Sequence, residues 1–438
     1  MAKVIPFRAL RYNQEIVPDL ARVVSPPYDI INAAEQKHYH QKDPHNAIWL
    51  DYGLERAGND KENNRYTRAA AALNQWLEQQ IIVPDAEPAL YFLKEEFTGP
   101  GGQPALRQGF VAAVRLAPFS EGVILPHEET ASAPKEDRLR LMEATQANLS
   151  PIFCLYSDPE NQIATALKKA ADSKPDINLT DEAGTRHSLW VINGPDTTSL
   201  VTRILSEKTL LIADGHHRYE TALKYRDTRR QQESSQEDQP YDYLMAYLTN
   251  MADSSHSILP IHRLVCGLAP QTPAGLEDIL KQKFEIENID SSGPRPAQAM
   301  IERMAAAGRQ RNVFGMFVPA TGSYYLLVAR ASRPLLDAVI VRSAAWRSLD
   351  VSVLDHLVLR DLLDITPGGV NAGARVSYVE RTEEALDEAE NCELAFFVNP
   401  TSMEEITAVA EAGEKMPQKS TYFHPKPLTG LVFRSFKF

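Results

Sequence analysis

The chain has little of what marks secreted miniproteins, membrane proteins or nucleic-acid coats. Its three cysteines, Cys154, Cys266 and Cys392, stand far apart and form no CxxC pair. A thiolate zinc site or a disulfide framework uses closer or even-numbered thiols, so this spacing fits a reducing compartment. No apolar run approaches the roughly 18 residues that span a bilayer. Residues 1–12, interrupted by Lys3, Arg8 and Arg11, carry no signal-type hydrophobic segment. A soluble cytoplasmic protein without a membrane partner is therefore expected. Positive charge is short as well: 46 Lys and Arg against 58 Asp and Glu leave a net charge of −12. Such a field repels phosphate backbones, so no nucleic-acid partner is expected. Gly and Pro number 21 and 29, too few for a low-complexity chain.

What is present is an ordinary folding composition, 43% hydrophobic over 438 residues, enough for two or three cores. Apolar periodicity alternates between strand and helix without a solenoid repeat. Tyr66, Ala69, Ala70, Leu73, Trp76 and Leu77 share a helical face. Apolar stretches at 89–92 and 110–116, joined through a glycine-rich turn at 98–104, predict a hairpin. The polar run 228–241 predicts a surface segment. A second α/β pattern follows, with a hairpin at 313–318 and 324–328 and a buried-type strand at 394–398. Thr401 and Glu404 then offer a capping box. The fold class is α/β with mixed sheets. A boundary near 265–272, at Cys266, Gly267 and Pro270, divides the chain into 1–268 and 269–438.

The chemistry concentrates after a short apolar strand at 210–213. Asp214, Gly215, His216, His217 and Arg218 intervene before a helical stretch begins. A strand, a tight turn and a helix N-terminus point backbone N–H groups and the positive end of the helix dipole at one spot, where an anion can sit. His216, His217 and Arg218 add donors. Asp214 would repel a phosphate unless it holds a cation or accepts a proton from a hydroxyl. The plainer alternative is an Asp-Gly turn with capping histidines, in which Arg218 pairs with Glu220 or Glu207. A zinc hydrolase reading uses His216 and Glu220, four apart on a helix, and still needs a third ligand.

The string from Asp214 to Arg218 resembles the signature of ParB/sulfiredoxin-like nucleotide-binding proteins, above all the Asp-Gly-His-Thr-Arg version of archaeal free-serine kinases, with His217 in place of threonine. Sulfiredoxins carry a reactive cysteine where this chain has His216, which argues against peroxiredoxin repair. Further segments are similar to a long bacterial family once known only as a domain of unknown function. They are 25–29 with Tyr28 and Asp29, 125–130 with His127 and Glu128, 134–138, 258–263 and 416–426. Members of that family are linked to ATP-dependent phosphorylation of free L-serine.

The resemblance implies a ParB/sulfiredoxin-like core with a second α/β domain. It also implies a small-molecule kinase that uses ATP and Mg²⁺ and converts L-serine, or a related hydroxy amino acid, to O-phosphoserine. On this reading Glu128, Asp214 and His216 are catalytic, with Glu128 as the base and Glu129 or Asp214 as the other candidates. Gly215, His217 and Arg218 bind nucleotide, and Tyr28, Asp29 and His127 bind substrate. Asp214 holds the metal. Apart from the resemblance, His262 and Arg263 end an apolar stretch and offer a pocket edge, and Lys415, Lys419 and Lys426 make a local basic patch that either steers nucleotide phosphates or, the plainer reading and the one preferred, is a solvated connection before the strand at 431–433. The competing function is a nucleotide-responsive binding or switch protein without metabolite kinase activity.

Overall fold

The computed structural model describes residues 1–233, 237–253, 255–268, 272–293, 295–333, 336, 341–366 and 371–437. Part of the expected surface segment, 234–236, lies outside them, as does Pro270 of the expected boundary. The chain is α/β throughout and forms two compact units. Unit one comprises 1–126, 130–257 and 425–438, and unit two comprises 127–129 and 258–424. This differs from a linear division at 268/269: the crossover falls eleven residues earlier by number, at 257/258, and the C-terminal segment returns to unit one. The return is a long-range pairing that no local pattern announces.

Unit one is built on a sheet of nine strands among the described residues. In spatial order eight of them are Ile124–Leu125, Leu210–Asp214, Ile152–Tyr156, Tyr243–Asn250, Pro104–Arg115, Leu90–Thr98, Arg186–Ile192 and Ile177–Thr180, and Val4–Ile5 also pairs with Pro104–Arg115. The sheet is mixed, with two parallel pairs, Leu210–Asp214 on Ile124–Leu125 and Tyr243–Asn250 on Ile152–Tyr156. Tyr243–Asn250 is buried at every position, the pattern of a strand covered on both faces. Phe92, Phe110, Val114, Leu244 and Leu248 belong to one core. A different cluster holds a buried ion pair: Arg107 Nε donates to Glu95 Oε2 at 2.8 Å, and the Tyr247 hydroxyl donates to the same oxygen at 2.7 Å. The expected hairpin is present as Leu90–Thr98 and Pro104–Arg115 in antiparallel register.

Unit two has an antiparallel sheet in the order Phe284–Ile289, Ser323–Ala329, Val313–Val318, Leu394–Val398, His262–Cys266, Arg375–Val379. Met300 and Met304 of the helix Pro296–Ala307 pack on Val313, Leu326 and Phe397. The second expected hairpin is present. The capping box lies one residue later than expected: Ser402 accepts from the Glu405 N–H, and Glu405 accepts from the Ser402 N–H. Cys266 and Cys392, read from their spacing as separate thiols, are joined in a disulfide with Cα atoms 4.2 Å apart. Neighbouring strands bring them together across 126 residues of sequence. Cys154 is a buried free thiol. No helix among the described residues is long and apolar enough to cross a membrane.

Candidate functional site

The strand Leu210–Asp214 forms because Leu210 to Ala213 are all apolar and buried in the unit-one sheet. Its register against Ile152–Tyr156 shifts between Ile212 and Asp214. An irregularity of this kind re-aims the side chains beyond it. Gly215 follows at φ +90°, where a Cβ would lie 2.8 Å from Ile152 Cγ2. Only glycine turns the chain here without strain. The helix His216–Glu233 starts at once, its Tyr219 N–H donating to the Gly215 carbonyl at 3.0 Å. Tyr219, Ala222 and Tyr225, three apart, dock one face of it on the core. The Tyr219 hydroxyl anchors that docking by donating to the Ala117 carbonyl at 2.8 Å.

Every charge at this corner is engaged. Asp214 Oδ2 accepts from Arg218 Nη2 at 2.7 Å, and Oδ1 accepts from Lys426 Nζ at 2.6 Å. Lys426 also donates to Asp29 Oδ2 at 2.9 Å. Arg218 Nη1 donates to the Pro151 carbonyl. Burial works against the Arg218 charge, but Asp214 and Asp29 outweigh it and hold the pKa above the ordinary arginine value. Arg218 thus pairs with Asp214, not with the glutamates the sequence offered.

Behind the corner, Arg138 Nη1 donates to Asp51 Oδ1 at 3.0 Å, and its guanidinium lies 3.9 Å from the Tyr28 ring centre. Burial pushes the Asp51 carboxyl upward against the pull of Arg138 and Arg218. It likewise raises the Tyr28 phenol. Asp51, Arg138, Asn148, Ser150 and Arg218 line a cavity. There Asp51 Oδ2 and Asn148 Nδ2 are buried without a hydrogen-bond partner. Asp51 escaped the sequence reading. Its only signal was an acid at the end of the apolar run Ile48, Trp49, Leu50.

The segment after residue 129 lies along the helix. The Ala131 N–H donates to His217 Nε2 at 3.0 Å, so that nitrogen is an acceptor and the neutral ring carries its proton on Nδ1. Lys135 Nζ and Thr130 Oγ1 both donate to Glu220 Oε2 at 2.8 Å. Glu220 is therefore used in packing, and no group of three or more His, Cys, Asp or Glu among the described residues could hold a metal. The zinc reading of His216 and Glu220 falls with this. The Mg²⁺ assigned to Asp214 meets the same obstacle, because an arginine and a lysine already take its two oxygens. The residues present do not fit a protein-held metal.

Unit one thus brings Tyr28, Asp29, Asp214, Gly215, His216, His217, Arg218 and Lys426 into one body. His127, Glu128, Lys415 and Lys419 belong to unit two. His127, expected to face substrate, is fully buried and shares a hydrogen bond of 2.8 Å with the Thr421 hydroxyl. Glu128 accepts the backbone N–H groups of Lys419 and Ser420, one on each carboxylate oxygen, at 3.0 and 3.2 Å. His262 and Arg263, expected to close a pocket, are buried inside the strand His262–Cys266. The three-lysine patch divides between the units, with Lys426 at the corner in unit one and Lys415 and Lys419 in unit two.

No curated protein matches the sequence. Among solved structures the chain is similar to a free serine kinase variant in complex with ADP, at 14% identity and a TM-score of 0.33, covering 69% of this chain and 84% of that one. It is similar to SbnI with a C-terminal truncation from Staphylococcus aureus at 12% identity and a TM-score of 0.35, covering 73% and 85%. A conserved hypothetical protein from Pyrococcus furiosus gives 12% identity and 0.32, covering 69% and 87%. At the level of sequence families, residues 4–352 match DUF1015, described as a protein of unknown function, and the chain belongs to that family.

Proposed function

We propose that unit one binds ATP at the corner from Asp214 to Arg218 and passes its γ-phosphoryl group to the hydroxyl of a small hydroxy amino acid, with free L-serine as the acceptor and O-phosphoserine as the product. The observation that carries the reading is the glycine at φ +90° between a strand and a helix N-terminus, flanked by a buried arginine and a buried lysine. First-turn N–H groups and the helix dipole favour phosphate there. Arg218 and the two histidines are assigned to the phosphoryl oxygens from the sequence resemblance, with the neutral His217 ring as an N–H donor through Nδ1. In the transfer a bond forms between the acceptor oxygen and Pγ, the bond from Pγ to the β-phosphate oxygen breaks, and the hydroxyl proton passes to a carboxylate. Loose phosphoryl transfer asks the protein for placement and charge, which a rigid corner supplies. Tyr28, stacked on Arg138, and Asp29 are the unit-one groups assigned to the acceptor. Glu128 is assigned as the base from the sequence resemblance.

The test is production of phosphoserine from ATP and L-serine by the full chain. Asp214→Asn removes one charge from the network that orients Arg218 and Lys426, and is expected to reduce turnover at least about a hundredfold, the scale of a lost electrostatic contact at a transition state. Equal turnover in that variant defeats the assignment. Glu128→Gln is expected to abolish turnover while nucleotide still binds, and undiminished turnover removes Glu128 from the role.

A further inference from the structure

Lys426 reaches the corner from 212 residues beyond Asp214. Its side chain is 6% exposed, and its ammonium lies between two carboxylates. Long-range contacts fix it there. The carbonyl of the preceding residue, Pro425, accepts from Nη2 of buried Arg107 at 2.6 Å. Ser25 and Thr429 exchange backbone hydrogen bonds of 3.1 and 2.9 Å. That exchange ties the loop bearing Asp29 to the segment bearing Lys426. A buried ion pair is a weak stabiliser compared with apolar packing of the same volume. Holding the segment in place is thus a poor account of a lysine at this position.

Charge arithmetic points elsewhere. Asp29 and Asp214 cancel Arg218 and Lys426, so a triphosphate is held only if a cation turns from a carboxylate toward it. Arg218 is poorly placed to turn, with Nη1 on the Pro151 carbonyl, Nη2 on Asp214 and a side chain 8% exposed. Lys426 carries three rotatable donors on a flexible stem. Of its two acids Asp29 is the more exposed, 27% against 15% for Asp214, and its contact is the longer.

We infer that Lys426 is the phosphate-binding cation of unit one: when nucleotide arrives, Nζ keeps Asp214 and exchanges Asp29 for a phosphoryl oxygen. Asp214 is then the anchor of a lysine and an arginine, not a metal ligand. The inference rests on the nucleotide reading above and adds to it a residue and a competitor.

Calorimetric titration of the full chain with ATP tests it. Lys426→Met is expected to weaken binding about tenfold to a hundredfold, the worth of a hydrogen bond to a charged group, and Lys426→Arg to retain most of the affinity. Asp29→Asn, which removes the competing carboxylate, is expected to tighten binding several-fold. Unchanged affinity in Lys426→Met, or weaker binding in Asp29→Asn, overturns the inference. Should Lys426→Met fail to fold by circular dichroism, Asp29→Asn decides alone, because a purely structural latch gives no gain in affinity there. Wild-type protein without affinity for ATP overturns both readings. Wild-type protein that binds ATP but makes no phosphoserine overturns the kinase reading and leaves the Lys426 comparison decisive.

Discussion

At the scale of single residues, Gly215 constrains the corner more tightly than any charged group. A Cβ there would stand 2.8 Å from Ile152 Cγ2 and 3.1 Å from Arg218 Nε, on a backbone at φ +90°. Gly215→Ala therefore combines backbone strain with overpacking, about 2–5 kcal/mol together. The expected result is a lower urea midpoint at constant slope. ATP affinity is expected to fall even in the folded fraction, because the displaced Arg218 loses Asp214. A variant as stable as the parent would show that the turn is not fixed in this form. The run from Asp214 to Arg218 was legible because its members are sequence neighbours. Asp51 and Arg138, 87 residues apart, meet only through tertiary structure, as do Asp214 and Lys426. No periodicity or spacing reports such a meeting.

At the scale of elements, local pattern was a good guide to hairpins, where alternation and turn glycines act over a few residues. It was a poor guide to which strands become neighbours. The strand His262–Cys266 shows the consequence. The sequence offers its histidine as a pocket residue, but the strand is interior to the unit-two sheet, between Leu394–Val398 and Arg375–Val379. His262 Nδ1 accepts the Val398 N–H at 3.4 Å, and Nε2 faces the Thr382 hydroxyl at 3.2 Å. A ring used in this way is neutral. Burial, aided by Arg263, pushes its pKa down from the ordinary 6.5 to about 3. The folded chain then binds fewer protons than the unfolded chain between those values. The stability this histidine contributes is present above pH 6.5 and is lost as pH falls toward 3, on the order of 4–5 kcal/mol in all. Urea unfolding of unit two at pH 7 and pH 4 is expected to show about 3 kcal/mol of that loss, and His262→Gln is expected to flatten it. A pH dependence identical in the variant would place the acid sensitivity elsewhere. The same limit explains the disulfide, since Cys266 and Cys392 meet only once their strands pair.

At the scale of the whole molecule, the last 14 residues belong to the unit in which the chain began. Residues 425–438 place Leu428, Leu431, Val432 and Phe433 at 6, 4, 2 and 0% exposure. Phe433 exchanges backbone hydrogen bonds of 2.8 and 3.0 Å with Leu10. Arg434 donates to the carbonyls of Tyr243 at 2.8 Å and Pro240 at 2.6 Å. Burying four such apolar side chains is worth about 1.5–3 kcal/mol each, on the order of 6–12 kcal/mol together. The whole stability of a domain is roughly 5–15 kcal/mol, so a chain that ends after His424 should not keep unit one folded. Unit two has its own core around Met300, Met304 and Phe397 and loses nothing of that core. Hydrogen exchange on the truncated chain is therefore expected to leave the amides of Leu394–Val398 protected, while those of Tyr243–Asn250 exchange at unfolded rates. Protection of both strands would mean that the C-terminal segment decorates unit one without completing it. In that case Lys426 would be carried by an element the fold can do without, and its delivery to Asp214 would need another explanation.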